Sequence, residues 1–494
     1  MLLTQQWIRE HDVSLNIEAL PERILQIGEG NFLRGFVDWL IHQLIKNKQY
    51  DGRVVVSTPL PMGAKKIQEI NEQDGLYTVW LRGLQNGEVL DSREIVQSIS
   101  RGIDPYTQWG EFLQCARNPQ IDIVISNTTE AGLAYSYESY QKNTCPTSYP
   151  AKLTAYLYER FQAFAGDEAS GLDIVPCELV ENNGDLLRDF VLRCARDWQL
   201  SLEFQNWVEN HNYFYNTLVD SIVTGFTTSG LDAGDHDMKY EDKLGIIREP
   251  FYLWVIQGES RLQKKLDFAS LGLNVRYEQD VAPFRLIKVR ILNGTHTALA
   301  GLSFLAQIET VKMAVTDDVM GKFVRELLSK EIIPALSVQS VPESEAQIFA
   351  EAVLERFSNP LLRHEIVTLQ LNGLSKIRVR LLPTMMDFIH ATGKLPSLLI
   401  MAIAGQLLYY KNADEPSNHW VIHDDENQVR AVQEAWSLES TQGLHASLTQ
   451  ILSLDEVWGQ DLSAIPSLVD LLEQAVIALR TGVLPALSDW MKGQ

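Results

Sequence analysis

Three polar side chains in residues 288–296 have the types and spacing needed for proton transfer. Lys288, Asn293 and His296 stand among apolar residues. On an α-helix with about 100° between residues, Asn293 lies ~140° and His296 ~80° round the axis from Lys288, so the three share one broad face. Loss of water around such a lysine favours the neutral amine, which can accept a proton near neutral pH. The pattern predicts an acid/base lysine, although it is also typical of an ordinary amphipathic helix.

The neighbours of that lysine suit the same chemistry. The Asn293 amide can donate a hydrogen bond to an alkoxide or carbonyl oxygen. His296, one turn later, can orient a substrate or tune the lysine. The histidines include no H-E-x-x-H spacing, and we do not expect a metal-dependent mechanism.

Other polar residues are candidate ligands for a substrate. Asp220 and Glu130 are single carboxylates near predicted strand ends, where α/β folds collect functional side chains. Asn183 follows a predicted strand, but its neighbourhood is also typical of a turn. The cations that suit an anionic substrate, or that simply lie on a helix surface, are Arg363, His364 and Lys376.

A glycine-rich turn follows the first predicted strand. Residues 23–27 form a short apolar run, Gly28 and Gly30 follow, and residues 32–45 have helical periodicity. Gly28 permits a tight turn and Gly30 lets a pyrophosphate approach the backbone, whereas Leu33 occupies the third glycine position of the G-x-G-x-x-G/A fingerprint. The strand–turn–helix context favours a dinucleotide-binding turn over turn glycines without a special function.

The second predicted strand leaves the choice between NAD and NADP open. Residues 53–57 form a β-branched run, and an acidic residue at the end of such a strand usually binds the ribose 2′-hydroxyl of NAD. No Asp or Glu stands in residues 57–61, and Lys65 and Lys66 follow shortly after. We interpret these two lysines as part of a solvated helix face.

Strands separated by helices predict an α/β fold for the first part of the chain. Residues 121–126 and 172–176 look like further buried strands, and helical connections between strands are typical of a parallel sheet. Beyond about residue 285 helical periodicity dominates, and Ser344 with Gln347 matches a capping box. We predict an α/β Rossmann-type dinucleotide-binding domain with a mainly parallel sheet over residues 1–280, and a mostly α-helical substrate domain over residues 281–494.

Composition excludes several classes of protein. The 494 residues, 45% hydrophobic and 21% charged, are typical of a globular chain of about two to four domains. A net charge of −22 argues against binding to nucleic acids or anionic membranes. Four cysteines without a C-x-x-C pair fit a reducing compartment, and the N-terminus lacks a signal-peptide pattern. We expect a soluble, cytoplasmic protein with a small-molecule partner; the oligomeric state is not predicted.

Several motifs together resemble the mannitol dehydrogenase family of polyol-specific long-chain dehydrogenases. The lysine–asparagine–histidine segment KVRILNGTH is highly specific for that family, and the variant GEGNFLR at residues 28–34 separates this branch from the mannitol and fructuronate branches. The resemblance covers nearly the whole chain. Its markers are residues 24–35, 126–132, 148–153, 176–179, 183–184, 218–220, 288–296 and 356–360.

The resemblance implies a Rossmann-type domain, a helical domain and an active site between them. It implies metal-independent, NAD-linked hydride transfer at a secondary alcohol, with reduction of a sugar acid, D-tagaturonate, to D-altronate in hexuronate catabolism as the leading expectation. Lys288 is then the general acid/base, Asn293 an oxyanion donor and His296 a substrate-orienting partner, and Asp220 aligns with a family carboxylate near the substrate hydroxyls. The residues that the resemblance assigns to the cofactor are Ile27, Gly28, Glu29, Gly30, Asn31, Phe32, Leu33, Arg34, Asn127 and Glu130.

One departure from the family concerns a second oxyanion asparagine. The family motif Cys-Asp-Asn reads Cys-Glu-Leu at residues 177–179, which leaves Asn183 as a candidate substitute. The alternatives are the same chemistry on fructuronate, mannonate or a mannitol-type polyol and, from another class, an inactive regulator that binds a nucleotide or a sugar acid. The intact lysine–asparagine–histidine segment argues against the regulator.

Overall fold

The chain divides into two compact units in the computed structural model. The first comprises Met1–Arg82 with Val89–Val281, and the second Gly83–Glu88 with Ala282–Gln494. A single boundary at residue 280 does not describe this division fully, because Gly83–Glu88 groups with the second unit. The structure describes residues 1–11, 13, 15, 17–129, 131–225, 238–258, 261–339, 341–361, 363–413 and 420–493.

The first unit is built on a parallel sheet of six strands. The strands of the chain are β1 (Glu22–Ile27), β2 (Arg53–Ser57), β3 (Tyr77–Gln85), β4 (Glu88–Val96), β5 (Ile99–Ile103), β6 (Ile123–Ser126), β7 (Asp173–Pro176), β8 (Tyr213–Phe214), β9 (Thr217–Asp220), β10 (Val223–Gly225), β11 (Ile246–Arg248), β12 (Leu253–Gln257) and β13 (Val275–Glu278). The six-stranded sheet has the order β5-β2-β1-β6-β7-β8, and each neighbouring pair is parallel. This order confirms the predicted Rossmann-type fold, with a point of reversal between β1 and β6.

Apolar residues on both faces explain why this sheet is buried. In β2, Val54 and Val56 pack into one hydrophobic core and Val55 into the other, as the alternation of side chains along a strand requires. Strands β1 and β6 divide their residues in the same way. Such strands read as continuous apolar runs, which is why the sequence predicted them.

Helices cover the sheet, and two smaller sheets complete the unit. The smaller sheets have the orders β10-β11-β3-β4 and β13-β12-β9. The helices of the unit are α1 (Gln5–Glu10), α2 (Asn31–Gly35), α3 (Val37–Lys46), α4 (Ala64–Glu72), α5 (Trp109–Ala116), α6 (Tyr149–Ala163), α7 (Asn183–Asp197), α8 (Leu202–His211) and α9 (Arg261–Lys265). The predicted helix over residues 32–45 is thus interrupted at Phe36, whose side chain is fully buried.

The second unit is helical, as predicted. Its α-helices are α10 (Ala282–Ile287), α11 (Gly294–Leu305), α12 (Val311–Thr316), α13 (Asp318–Leu327), α14 (Ile333–Leu336), α15 (Glu343–Phe357), α16 (Ile366–Leu369), α17 (Gly373–Lys376), α18 (Leu382–Thr392), α19 (Ser397–Asn412), α20 (Glu426–Ser437), α21 (Glu439–Gln442), α22 (Leu444–Leu452), α23 (Asp455–Trp458), α24 (Leu468–Arg480) and α25 (Val483–Lys492). Helix α15 begins before Ser344, with Pro342 as its N-cap, so the predicted capping box is wrong. Three π-helical segments join α-helices: Lys288–Asn293, Leu328–Ile332 and Ile377–Leu381.

Helix α19 lies at the centre of the second unit and packs closely on α11. A Cβ added at Gly301 would lie 2.7 Å from the backbone N of Gln406, and the Gln406 side chain donates to the Thr297 carbonyl at 2.7 Å. The absence of a side chain at Gly301 therefore sets the distance between the two helices. Among the described residues, no helix combines the length and the apolar character needed to cross a bilayer.

Replacement of Gly301 by alanine should destabilise the protein. The added methyl group meets the backbone of α19, which cannot move without disturbing the core, and overpacking of this kind costs about 1–3 kcal/mol. Thermal unfolding followed by circular dichroism should show a lower Tm. The control is Gly110→Ala in α5, where a Cβ meets nothing within 4 Å; it should keep or raise the Tm. An unchanged Tm for Gly301→Ala would contradict the tight contact.

Candidate active site

The carboxyl ends of three parallel strands converge on the glycine turn. Gly28 has φ +130°, and an added Cβ would lie 2.7 Å from the backbone oxygen of Asn127, which follows β6. The Gly28 N–H donates to the carbonyl of Ser57, the last residue of β2, at 2.8 Å. Gly30 is exposed, and a Cβ there would meet nothing within 4 Å. The turn thus lies where the strand order reverses and leaves its backbone open to a phosphate.

The other residues of the turn divide into accessible and buried ones. Arg34 is fully buried: its Nε donates to the Glu29 carbonyl at 3.1 Å, one NH group to Asn31 Oδ1 at 2.7 Å, and the other to the Leu244 carbonyl. Burial lowers the pKa of this guanidinium. Leu33 is buried as well. Arg34 and Leu33 therefore shape the turn from inside, as does the buried Ile27.

Phe32 and Asn127 flank the turn, and Glu130 lies outside the described residues. The ring of Phe32 stacks on Phe36 with 5.0 Å between centroids. The Asn127 side chain donates to the Cys177 carbonyl at 3.0 Å, and its backbone N–H donates to the Ile27 carbonyl at 3.1 Å. Asn127 thus connects the ends of β1, β6 and β7 beside Gly28.

In the second unit, a π-helical turn aligns the polar residues of the lysine–asparagine–histidine segment. Residues Lys288–Asn293 form the π-helix, and the Gly294 N–H donates to the carbonyls of Ile291 and of Val289, five residues earlier. Because a π-helix has more residues per turn than an α-helix, Lys288 and Asn293 lie closer around the axis than the ~140° expected for an α-helix. His296 follows three residues later in α11, on the same face. Lys288 is half-buried.

His296 lies in an apolar and cationic environment. Its ring stacks on Phe357 with 4.2 Å between centroids and meets the edge of His364 at 4.9 Å. Its Nε2 is shielded from solvent and has no hydrogen-bond partner among the described residues. Burial lowers the pKa of His296 well below its usual range, and His364, Arg356, Arg380 and Lys376 lower it further. The ring is therefore neutral at physiological pH.

Two cations extend from the helical run that continues from α17 through a π-helix into α18. Lys376 donates to the Leu369 carbonyl at 3.0 Å, and Arg380, four residues later, donates to the Asn293 carbonyl at 3.4 Å and to Thr297 Oγ1 at 3.1 Å. Burial lowers the pKa of Lys376, Arg380 lowers it further, and the Asp424 carboxylate opposes the shift. Among the residues that the structure describes, no carboxylate lies within ion-pair distance of either cation. This cationic cluster can receive an anion beside Asn293.

Family models identify both units. The model described as the mannitol dehydrogenase Rossmann domain matches residues 22–270, and that of the mannitol dehydrogenase C-terminal domain matches residues 280–480. The chain belongs to the mannitol dehydrogenase family. It is an oxidoreductase of that family, which confirms the resemblance found in its motifs.

Curated relatives named altronate oxidoreductase match almost the whole chain. The relative from Halalkalibacterium halodurans is 43% identical and covers 95% of this chain and 93% of its own. Those from Bacillus subtilis and Pectobacterium atrosepticum are 40% and 37% identical, and cover 91% and 95% of this chain and 91% and 97% of their own.

Solved structures share the fold at lower identity. Mannitol 2-dehydrogenase of Pseudomonas fluorescens, in a ternary complex with NAD and D-mannitol, is 21% identical with a TM-score of 0.70 and covers 100% of both chains. A substrate-free D-sorbitol dehydrogenase is 20% identical with a TM-score of 0.78, covering 99% of this chain and 100% of its own.

This member of the mannitol dehydrogenase family uses Asn183 for structure. Asn183 is fully buried; its amide donates to the carbonyls of Pro176 and Glu178 at 3.1 and 3.0 Å, and its oxygen accepts from the Gly184 and Thr217 N–H groups at 3.0 and 2.8 Å. Both amide hydrogens are engaged. This corrects the expectation that Asn183 replaces the second oxyanion asparagine.

Glu178 stands in the position of the Asp of the family's Cys-Asp-Asn motif, and its carboxylate is also engaged in hydrogen bonds within the protein. Its carboxylate accepts from the Thr128 N–H at 2.9 Å, from Thr128 Oγ1 at 3.1 Å and from Ser126 Oγ at 3.1 Å. Burial raises the pKa of Glu178, while these hydrogen bonds oppose the shift. The network ties β6 to β7 beside Asn127. Asp220, at the end of β9, is buried as well.

Arg363, predicted as a candidate substrate cation, is exposed and already paired with carboxylates. Its side chain is 68% exposed and forms ion pairs with Glu309 at 3.5 Å and Glu365 at 3.0 Å. His364 is half-buried against His296 instead, and burial lowers its pKa. Sequence reasoning missed Arg380, although its spacing of four residues from Lys376 is a detectable signal.

The neutral His296, whose Nε2 is shielded from solvent, should make stability depend on pH. Its folded pKa is depressed, so below the usual histidine value of about 6.5 the unfolded chain takes up a proton that the folded chain does not. Stability from this group is present above that pH and is lost as the pH falls, with a limiting slope of about 1.4 kcal/mol per pH unit. His296→Phe keeps the stacking on Phe357 and should flatten the decrease in unfolding free energy between about pH 6.5 and 5.

The comparison uses denaturant unfolding at several pH values. His390→Gln, at an exposed position of the same unit, is the control and should retain the wild-type slope. Equal slopes in His296→Phe and wild type would show that His296 is not held neutral in the folded protein.

Proposed function

We propose that the protein catalyses the reversible reduction of D-tagaturonate to D-altronate with NADH, as part of hexuronate catabolism. The observation that carries the proposal is the line of Lys288, Asn293 and His296 beside a cationic cluster: it pairs groups for carbonyl chemistry with groups for a carboxylate. The printed name of the relatives, altronate oxidoreductase, supports the same substrate. A cytoplasmic location, expected from the sequence, belongs to the proposal.

The residues of the glycine turn fit a dinucleotide. Gly28 provides a tight turn that no side chain permits, and the open space over Gly30 gives a pyrophosphate access to the backbone. NAD is the cofactor in the complex of the P. fluorescens enzyme, and bound NADH would supply the hydride. Glu29, Asn31 and Asn127 would border the cofactor, while Ile27, Leu33 and Arg34 would hold the turn.

Lys288 is the general acid and base of the proposed reaction. In reduction its ammonium donates a proton to the carbonyl oxygen of the substrate, and in oxidation the neutral amine removes the hydroxyl proton. The Asn293 amide donates a hydrogen bond to the same oxygen, where negative charge develops. The neutral His296 orients a substrate hydroxyl. Because lysine supplies the proton and asparagine stabilises the oxyanion, the proposed mechanism needs no metal.

The cationic cluster is proposed to bind the sugar-acid carboxylate. Lys376 and Arg380 lie near Asn293 and His296, with Asp424 as an opposing charge on Lys376, and His364 completes the polar surround. An anion between these groups reduces the mutual repulsion of the two cations. Asp220 is retained from the family resemblance as a partner of the substrate hydroxyls.

Removal of the Lys288 amine should abolish proton transfer. We expect Lys288→Ala to lower kcat with tagaturonate by about 10²–10⁴-fold, the usual contribution of general acid–base catalysis, while NADH binding stays near wild type. The measurements are NADH oxidation at 340 nm and fluorescence titration of NADH. Lys312→Ala, at an exposed lysine of the same unit, should behave like wild type.

A substrate panel separates the alternatives. Tagaturonate, fructuronate and fructose should rank in that order in kcat/KM. A preference for fructose would defeat the sugar-acid assignment, and a lack of turnover with every ketose despite NADH binding would favour a regulator. Wild-type turnover in Lys288→Ala would remove the lysine from the mechanism.

Arg380 should distinguish charged from uncharged substrates. Arg380→Met keeps much of the side-chain length but removes the charge, and the loss of a charge-assisted hydrogen bond of about 1.5–3 kcal/mol lowers kcat/KM for tagaturonate by about 10–100-fold. For fructose, measured at high concentrations, kcat/KM of the variant should differ little from that of the wild type. The matched control is Arg378→Met, at an exposed arginine of the same helical run. An equal loss with both substrates would show that Arg380 positions Asn293 rather than binding a carboxylate.

A further inference from the structure

The first unit lacks a carboxylate at the position where dinucleotide-binding folds usually select NAD. In such folds an Asp or Glu near the end of the second strand binds the adenosine ribose 2′-hydroxyl. Strand β2 ends at Ser57, and Thr58 to Pro61 contain no acidic residue. The selection of NAD over NADP therefore needs a carboxylate from elsewhere in the chain.

The structure brings the Glu29 carboxylate to that position. The glycine turn is joined to the end of β2 by the hydrogen bond from Gly28 to Ser57. A Cβ added at Gly63, which precedes α4, would overlap both Thr58 Oγ1 and Glu29 Oε1. The carboxylate of Glu29 thus lies against Thr58 and Gly63, at the carboxyl end of β2, although it is 29 residues away from Thr58 in the chain.

The surroundings of Glu29 suit a hydroxyl and oppose a phosphate. Glu29 is half-buried; burial raises its pKa, while its own backbone N–H, Thr58, Arg34 and Lys66 lower it. A carboxylate with reduced access to water accepts a hydrogen bond strongly, and it repels a second anion at short range. A ribose 2′-hydroxyl can donate a hydrogen bond to this carboxylate, whereas a 2′-phosphate would be repelled by it.

The nearby lysines are not arranged to receive a 2′-phosphate. Lys66 forms an ion pair with Glu69 at 2.6 Å. The side chain of Lys65 is 86% exposed and lies 4.0 Å from the same carboxylate. Lys65 therefore lies on the solvated face of α4, as the sequence indicated, whereas the half-buried Lys66 is held by Glu69 and faces a second carboxylate, Glu29.

We propose that Glu29 accepts a hydrogen bond from the adenosine ribose 2′-hydroxyl and excludes a 2′-phosphate, which makes it the residue that selects NAD(H) over NADP(H). The assignment rests on the proposed function, since it requires that the turn bind a nicotinamide dinucleotide. In this assignment, a carboxylate from the turn after β1 takes the role that an acidic residue after β2 has in other dinucleotide-binding folds.

The test is the ratio of NADH to NADPH affinity in wild type and Glu29→Gln. The amide removes the negative charge with little change in shape, so the variant should lose NADH affinity and gain NADPH affinity. We expect the preference for NADH to fall by about 10–100-fold, the equivalent of one charge-assisted hydrogen bond. Fluorescence titrations without sugar acid measure both affinities independently of the substrate assignment.

Two further variants keep the result interpretable. Glu29→Asp retains the charge and should keep part of the preference, whereas Glu72→Gln, which removes a carboxylate on the far end of α4 that pairs with Lys243, should keep all of it. A folded Glu29→Gln protein with the wild-type ratio would overturn the assignment. Wild-type protein that binds neither dinucleotide would instead remove the proposed function, and the Glu29 assignment with it.

Discussion

The hydrogen bond from the Gly294 N–H to the Val289 carbonyl is the interaction on which the candidate active site depends. It closes a turn in which Lys288 and Asn293 lie closer around the helix axis than in a regular α-helix. The α-helical turn that follows places His296 on the same face. In a continuous α-helix the lysine and the asparagine would be ~140° apart, at the two margins of one broad face. In the proposed mechanism, the π-helical turn therefore helps the proton donor and the oxyanion donor to reach one substrate oxygen.

Charge ties this turn to the neighbouring helical run. Arg380 donates to the Asn293 carbonyl and to Thr297, and it lies close enough to Lys376 to lower the pKa of that lysine. Two half-buried like charges are unfavourable unless an anion reduces their repulsion. Asp424 offsets part of this repulsion at Lys376, and an anionic substrate would stabilise the folded unit further as it binds.

Local sequence patterns predicted the helices and strands, but they could not predict contacts between residues that are distant in the chain. Strands such as residues 53–57 were predictable because burial on both faces leaves a continuous apolar run. The break at Phe36 and the π-helical turn leave no periodic signal, since each changes only a few backbone hydrogen bonds. Arg380 was not predicted, and the hydrogen bonds of Asn183 were not foreseen, because both depend on partners far along the chain: Asn293 and Thr217. Glu29 was assigned to the cofactor, but its contact with Thr58 could not be predicted for the same reason.

The two units place different constraints on change. At the glycine turn, backbone contacts limit which residues are allowed. Any side chain on Gly28 would meet the Asn127 carbonyl, so a substitution there would require the strands to move. In the cationic cluster the limit is side-chain chemistry, because Lys376 and Arg380 act through their donor groups and their charge. We infer that dinucleotide binding persists in a fold of this kind while substrate charge changes by few substitutions.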